Sequence, residues 1–140
     1  MQVFMPYPDL QQSVCCLDDK RLGNQVYREG LTLLRGGWKN HPAAKIWAEY
    51  KPALALYCLY GLEELIRRNK TPPQIQEIKK ELFDLIADNV TCKPPIVCHE
   101  PFHLSHQDNL IFKDPEHYQP IFNRPIPQKK PEYVWQNKTT

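Results

Sequence analysis

The run from Asp18 to Glu29, DDKRLGNQVYRE, concentrates more reactive side chains than its neighbours. Wound as a helix, it sets Arg21, Gln25, Arg28 and Glu29 on adjoining parts of one surface, because residues three and four apart are neighbours there. Two guanidinium groups would suit phosphate oxygens through their forked donors. A carboxylate among such cations could take up or release a proton. The same residues could equally make a solvated face laced with ion pairs.

A second group, Gly36-Gly37-Trp38-Lys39-Asn40-His41-Pro42, combines a glycine turn with a helix start. Backbone N–H groups there, with Lys39 and His41, could hold an anion, and Trp38 could stack on a base. Taken alone, the plainer reading is that Trp38 plugs the core while Asn40 caps the helix. The third group is HEPFHLSH from His99 to His106, continuing to Lys113, His117 and Tyr118, so that four of the five histidines fall in one short stretch. His103, His106, Lys113 and His117 are expected to contact phosphate or to hydrogen-bond inside a nucleic-acid cleft. Satisfied structural histidines are the alternative. Cys92 and Cys98 with these histidines also raise a metal site, and with Asp108 or Glu100 a metal-dependent nuclease, although no C-x-x-C pair accompanies them. The chain contains no P-loop, dinucleotide glycine fingerprint or G-x-S-x-G.

The elements that must carry these groups read as helices. The 140 residues, 41% hydrophobic, suffice for one core and one domain, 1–140. Eighteen basic residues against sixteen acidic give a net charge of only +2, so any nucleic-acid footprint must come from local clustering. Five cysteines without a C-x-x-C pair fit a reducing compartment. No apolar run is long enough for a membrane span and no signal-peptide pattern opens the chain, so a cytoplasmic protein is expected, in the host cell cytoplasm if viral.

Met1 to Pro8 reads as an extended, anchored arm. Asp9 can cap a helix to about Cys16, and a longer helix should run from Asp18 to Arg35, where Gly36-Gly37 stops it. Gly23 and Gly30 inside it suggest close approach of another backbone or a ligand. Asn40 or His41 can cap a helix that has Pro42 in its first turn and runs to about Tyr50; Pro52 restarts one to Asn69. Thr71-Pro72-Pro73 opens an amphipathic helix with Ile75, Ile78, Leu82 and Leu85 on its buried face. A proline-broken loop then leads to a helix near Phe102 to Phe112, a turn at Asp114-Pro115, and an irregular tail with Tyr133, Val134 and Trp135 docked. The predicted fold is all-α and compact, with an extended N-terminal arm and an irregular C-terminal tail.

The order of these segments resembles the pyrimidine dimer DNA glycosylases, the bacteriophage endonuclease V-like family. The resemblance rests on the short apolar arm, on Tyr27-Arg28-Glu29, and on Gly37-Trp38-Lys39-Asn40-His41-Pro42. A closer branch shares MQ-x-F-x-PYPD at the start, LD-x-KRL around Leu17 to Leu22, and SH-x-x-NL-x-x-KDPEHY at Ser105 to Tyr118. The resemblance implies a chain start in the active site, whose α-amine attacks the sugar C1′ and forms a Schiff base. Because Gln2 is too bulky for ready removal of the initiator methionine, that amine belongs to Met1. Glu29 after Arg28 matches the essential glutamate after an arginine; a second alignment would pair Arg21 with that glutamate and leave the chain without it.

Lys20, Arg21, Arg28, Lys39, His41 and His106, with Gln25 and Asn40, would then hold phosphates or a displaced base. The implied partner is double-stranded DNA with a damaged or modified base, the implied cofactor none, and a monomer the simplest state. The two other readings are a non-catalytic DNA-binding module and the metal-dependent nuclease.

Overall fold

The computed structural model describes residues 2–70, 73–86 and 92–135. Among them the secondary structure is helical and no strand occurs, which agrees with the all-α expectation. No helix of the described residues is long and apolar enough to cross a membrane.

Helix α1 spans Leu10–Cys15, and Asp9 caps it by accepting from the Gln12 N–H at 2.8 Å. Asp18 caps α2, Asp19–Asn24, in the same way. The helix then widens into a π-helical turn over Gln25–Gly30 before closing as α3, Leu31–Leu34. Leu31 N–H reaches back five residues to the Val26 carbonyl. Gly30 explains part of the placement: a Cβ there would collide with Cys58 Sγ and lie 2.6 Å from the Gln25 carbonyl oxygen. The expectation of close approach therefore holds at Gly30, whereas Gly23 faces open space.

Gly36, at φ 88°, turns the chain out of α3. Helix α4 is Pro42–Trp47, capped by His41 rather than Asn40: His41 Nδ1 accepts from the Ala43 N–H at 3.1 Å. Helix α5, Lys51–Arg67, is the central element and packs against α1, α2, α3, the π turn and α6, Ile75–Ile86. Leu54, Leu59, Leu62 and Leu65 are buried on it, as Ile78 and Leu82 are on α6. The predicted opening of α6 at Thr71-Pro72 and the loop residues 87–91 lie outside the described residues.

A 3₁₀ turn at Pro95–Cys98 leads to α7, Glu100–Lys113. Asp114-Pro115 is not a free turn, as expected, but the start of α8, Pro115–Phe122, where Asp114 accepts from the His117 N–H. Tyr118 of α8 ties back to the cap of α2: its hydroxyl donates to the Asp18 carboxylate and accepts from the Asp18 N–H at 2.9 Å. From Asn123 the tail runs without regular structure and returns to the core, where Tyr133, Val134 and Trp135 are half-buried and Val134 N–H donates to Ser105 Oγ at 3.2 Å.

Candidate active site

The N-terminal arm is buried although it is neither helix nor strand, so its backbone groups must find side-chain partners. Gln25 supplies them near the start. Its Oε1 accepts from the Phe4 N–H at 2.7 Å and its Nε2 donates to the Gln2 carbonyl at 2.8 Å. The Tyr57 hydroxyl, itself buried, lies 2.7 Å from the Phe4 carbonyl and 2.9 Å from Gln25 Oε1. Further along, His106 Nδ1 accepts from the Met5 N–H at 2.7 Å, and the His103 ring bridges the Met5 and Val97 carbonyls at 2.7 Å each. Gln107 Nε2 donates to the Pro6 carbonyl at 2.8 Å.

These contacts correct three expectations. Gln25, His103 and His106 are buried and occupied by the arm rather than turned to solvent, although Gln25 also borders the cavity described below. Burial, with the neighbouring His103, holds the His106 ring down to about 3, so it stays neutral. Its proton then sits on Nε2, which has no partner. His117 is set apart as well, with Nε2 3.0 Å from the Cys16 carbonyl beside Asp18 and Asp19. The late histidines thus do not converge. Among the described residues no three His, Cys, Asp or Glu side chains come together to hold an ion, and the nuclease reading has no ligand set there.

What the arm and the polar helix do enclose is a cavity of about 250 Å³. Glu29, Arg21, Lys20, Asn24 and Gln25 form one wall, Gln2 and Phe4 another, and Lys113, Lys130 and Tyr133 the remainder. Four cations therefore surround one carboxylate. Among the described residues Lys20, Lys113 and Lys130 form no salt bridge, while Arg21 is shared with Asp18 at 3.2 Å. Glu29 Oε2 is buried and without a hydrogen-bond partner, and so is Gln2 Nε2. An unmatched acceptor and an unmatched donor thus belong to residues of one small cavity, whereas most buried polar groups are hydrogen-bonded.

Burial pushes the Glu29 carboxyl above its ordinary range, and nearby positive charge, Arg28 and Lys113 included, pulls against it. Lys113 is pushed down by burial and by the charges of Arg21 and Lys130, with Glu29 opposing. Burial also raises the Tyr133 phenol to about 12, so it remains un-ionised. The cavity thus joins a carboxylate of raised pKa to a group of cations, an arrangement that suits chemistry on a sugar phosphate.

Of the expected site residues, Lys20, Arg21, Gln25, Glu29 and Lys113 come together here. Arg28 is exposed and does not line the cavity. Lys39 and Asn40 are exposed on the turn before α4, and His41 is half-buried at its cap, where burial lowers its pKa. Met1 lies outside the described residues. Gln2, Phe4, Asn24, Lys130 and Tyr133 were not anticipated at the site. The tail pair Lys129-Lys130 and the docked Tyr133 were visible as charges and aromatics, but their destination depended on a path without periodicity.

A family model described as pyrimidine dimer DNA glycosylase matches residues 1–76. That span holds the arm, the polar helix and Glu29, and it ends before Lys113, Lys130 and Tyr133. No curated protein and no solved structure matches the chain.

Proposed function

Because the chain belongs to the pyrimidine dimer DNA glycosylase family, we propose that it excises a damaged or modified base from double-stranded DNA through the α-amine of Met1. The neutral amine forms a bond to the sugar C1′ as the C1′–N bond to the base breaks, and the base leaves with the electron pair and a proton. Opening of the sugar ring gives the imine. Loss of a proton from C2′ then expels the 3′ phosphate, which is the lyase step, and water hydrolyses the imine to regenerate the amine. An α-amino group suits the first step because it titrates near pH 8 and keeps a neutral fraction at physiological pH. The reaction draws on no cofactor.

Glu29 is the proton-transferring carboxylate of this scheme, and its negative form stabilises the cationic sugar. The observation that carries the reading is that Glu29, whose Oε2 is buried and unpartnered, lines one cavity together with Gln2. Gln2, the residue bonded to Met1, lines the same cavity as that carboxylate, which supports a nucleophile on residue 1. Lys20, Arg21, Lys113 and Lys130 grip the phosphates flanking the reacting sugar. One copy of the domain carries the whole cavity, and the protein acts as a monomer.

Borohydride trapping on UV-irradiated duplex and on duplex with an abasic site, followed by mass spectrometry, tests the amine. An adduct on Met1 is expected. Glu29→Gln should bind these duplexes with wild-type affinity and lose turnover by two or more orders of magnitude, as expected for general acid–base catalysis. Binding without any adduct on either DNA would remove the catalytic reading and leave a DNA-binding module.

A further inference from the structure

Trp38 is 57% exposed and has a backbone φ of 59°. The left-handed region is unfavourable for a bulky L side chain, and exposure of an indole forgoes its burial in the core. The expectation that Trp38 plugs the core is therefore overturned. The turn holding it is well fixed. Gly37 N–H donates to the Thr32 carbonyl at 2.8 Å, His41 N–H donates to the Trp38 carbonyl at 2.9 Å, and a Cβ on Gly37 would lie 2.6 Å from Thr32 Cγ2. Folding thus holds an exposed indole in an unfavourable conformation.

The indole is continuous with the cavity of Glu29. Its ring meets His41 edge-on at 6.4 Å between centroids, His41 meets Trp135 at 5.6 Å, Trp135 meets Tyr133 at 5.4 Å, and Tyr133 meets Phe4 at 6.3 Å. Tyr133 and Phe4 line the cavity. Lys39 follows Trp38 and Lys45 lies on α4, both exposed and, among the described residues, outside any salt bridge. An aromatic track bordered by uncompensated cations suits a nucleic-acid strand, whose bases stack while its phosphates take the charge.

We propose that Trp38 stacks on an unstacked nucleobase of the substrate duplex, a second point of attachment that holds the strand distorted while its sugar occupies the Glu29 cavity. The proposal rests on the DNA excision reading above. Reaching C1′ requires a disrupted stack, and an inserted aromatic side chain lowers the cost of keeping it disrupted.

The test measures binding to intact duplex and to duplex with an uncleavable abasic analogue by fluorescence anisotropy, for wild type, Trp38→Gly and Trp38→Phe. Thermal unfolding of all three proteins is followed alongside. Loss of one base stack should weaken binding of Trp38→Gly to the abasic duplex by roughly 5- to 150-fold. Trp38→Phe should stay within a few-fold of wild type. The Tm of Trp38→Gly should equal or exceed that of wild type, because glycine accepts the left-handed backbone freely. An affinity change of twofold or less, or a loss of affinity accompanied by a fall in Tm, overturns the proposal. Borohydride trapping of the wild type separates the two ideas. Trapping with unchanged Trp38→Gly affinity removes only the stacking role, whereas weakened Trp38→Gly binding without trapping removes only the excision chemistry.

Discussion

Replacing Gln25 by methionine tests whether the chain start is positioned by one amide. The side chains are of similar size, so the change removes hydrogen bonds with little cavity formation. The Phe4 N–H and the Gln2 carbonyl would lose their partners at 2.7 and 2.8 Å, whereas the Tyr57 hydroxyl would keep the Phe4 carbonyl at 2.7 Å. Each buried group left unsatisfied costs about 1–3 kcal/mol. The sum, roughly 2–6 kcal/mol, is a large share of the roughly 5–15 kcal/mol that holds a domain folded. At roughly 4 °C per kcal/mol for a chain of this size, Tm should fall by roughly 8–24 °C. Urea unfolding measures the free energy and calorimetry the Tm.

Function supplies an independent readout. Met5 would remain held by His106 and His103, so the loosening is confined to the first residues of the arm, next to Glu29. In the proposed mechanism the single-turnover trapping rate should therefore fall at least tenfold at temperatures where the variant is folded, while affinity for abasic duplex changes little. A variant within about 0.5 kcal/mol of wild-type stability that traps DNA at the wild-type rate would refute the clamp.

Two further outcomes follow from the same geometry. His106 titrates near 6.5 when free and at about 3 in the fold, so between those values the unfolded chain binds more protons. Stability should then be fully present above pH 6.5 and fall on acidification through that window, by at most about 1.4 kcal/mol per pH unit from this residue. His106→Asn keeps an acceptor for the Met5 N–H but cannot titrate, and urea midpoints from pH 4 to 8 should be flatter for it; an unchanged slope would refute the assignment. Lys113→Ala and Lys130→Ala, if these cations meet phosphates, should each reduce the slope of log K against log salt by about 0.9, which anisotropy titrations between 50 and 200 mM salt can read.

Local rules made much of the fold legible. Asp9, Asp18 and His41-Pro42 announce helix starts because a side-chain acceptor or a first-turn proline meets the orphan N–H groups there, and Ile78 and Leu82 mark the buried side of α6 by spacing alone. Helix α8 was hidden because Asp-Pro is equally a turn signal and Pro120 stands inside the helix. His103 and His106 could not be placed by residue type. Their environment is created by an arm that pairs with no strand, and only the tertiary path shows that its backbone needs them. Lys130 and Tyr133 were illegible for a related reason, since an irregular tail carries no period from which its route can be read.

The π turn is where the two demands on the polar helix meet. Gln25 must point into the core to hold the arm, and Glu29, four residues on, must open onto the cavity with an oxygen left unmatched. Both border the cavity, as positions i and i+4 of a helix can when they share a face, yet Gln25 is buried and engaged with the arm whereas Glu29 is half-buried with an unmatched oxygen. Widening the helix over Gln25–Gly30 changes the advance between them, and Gly30, without a Cβ, accepts the resulting approach of Cys58 and of the Gln25 carbonyl. π turns are uncommon and recur at functional sites. Here the six residues that widen the helix include both the anchor of the chain start and the carboxylate beside it, so the irregular turn links the geometry of the arm to the chemistry of the cavity.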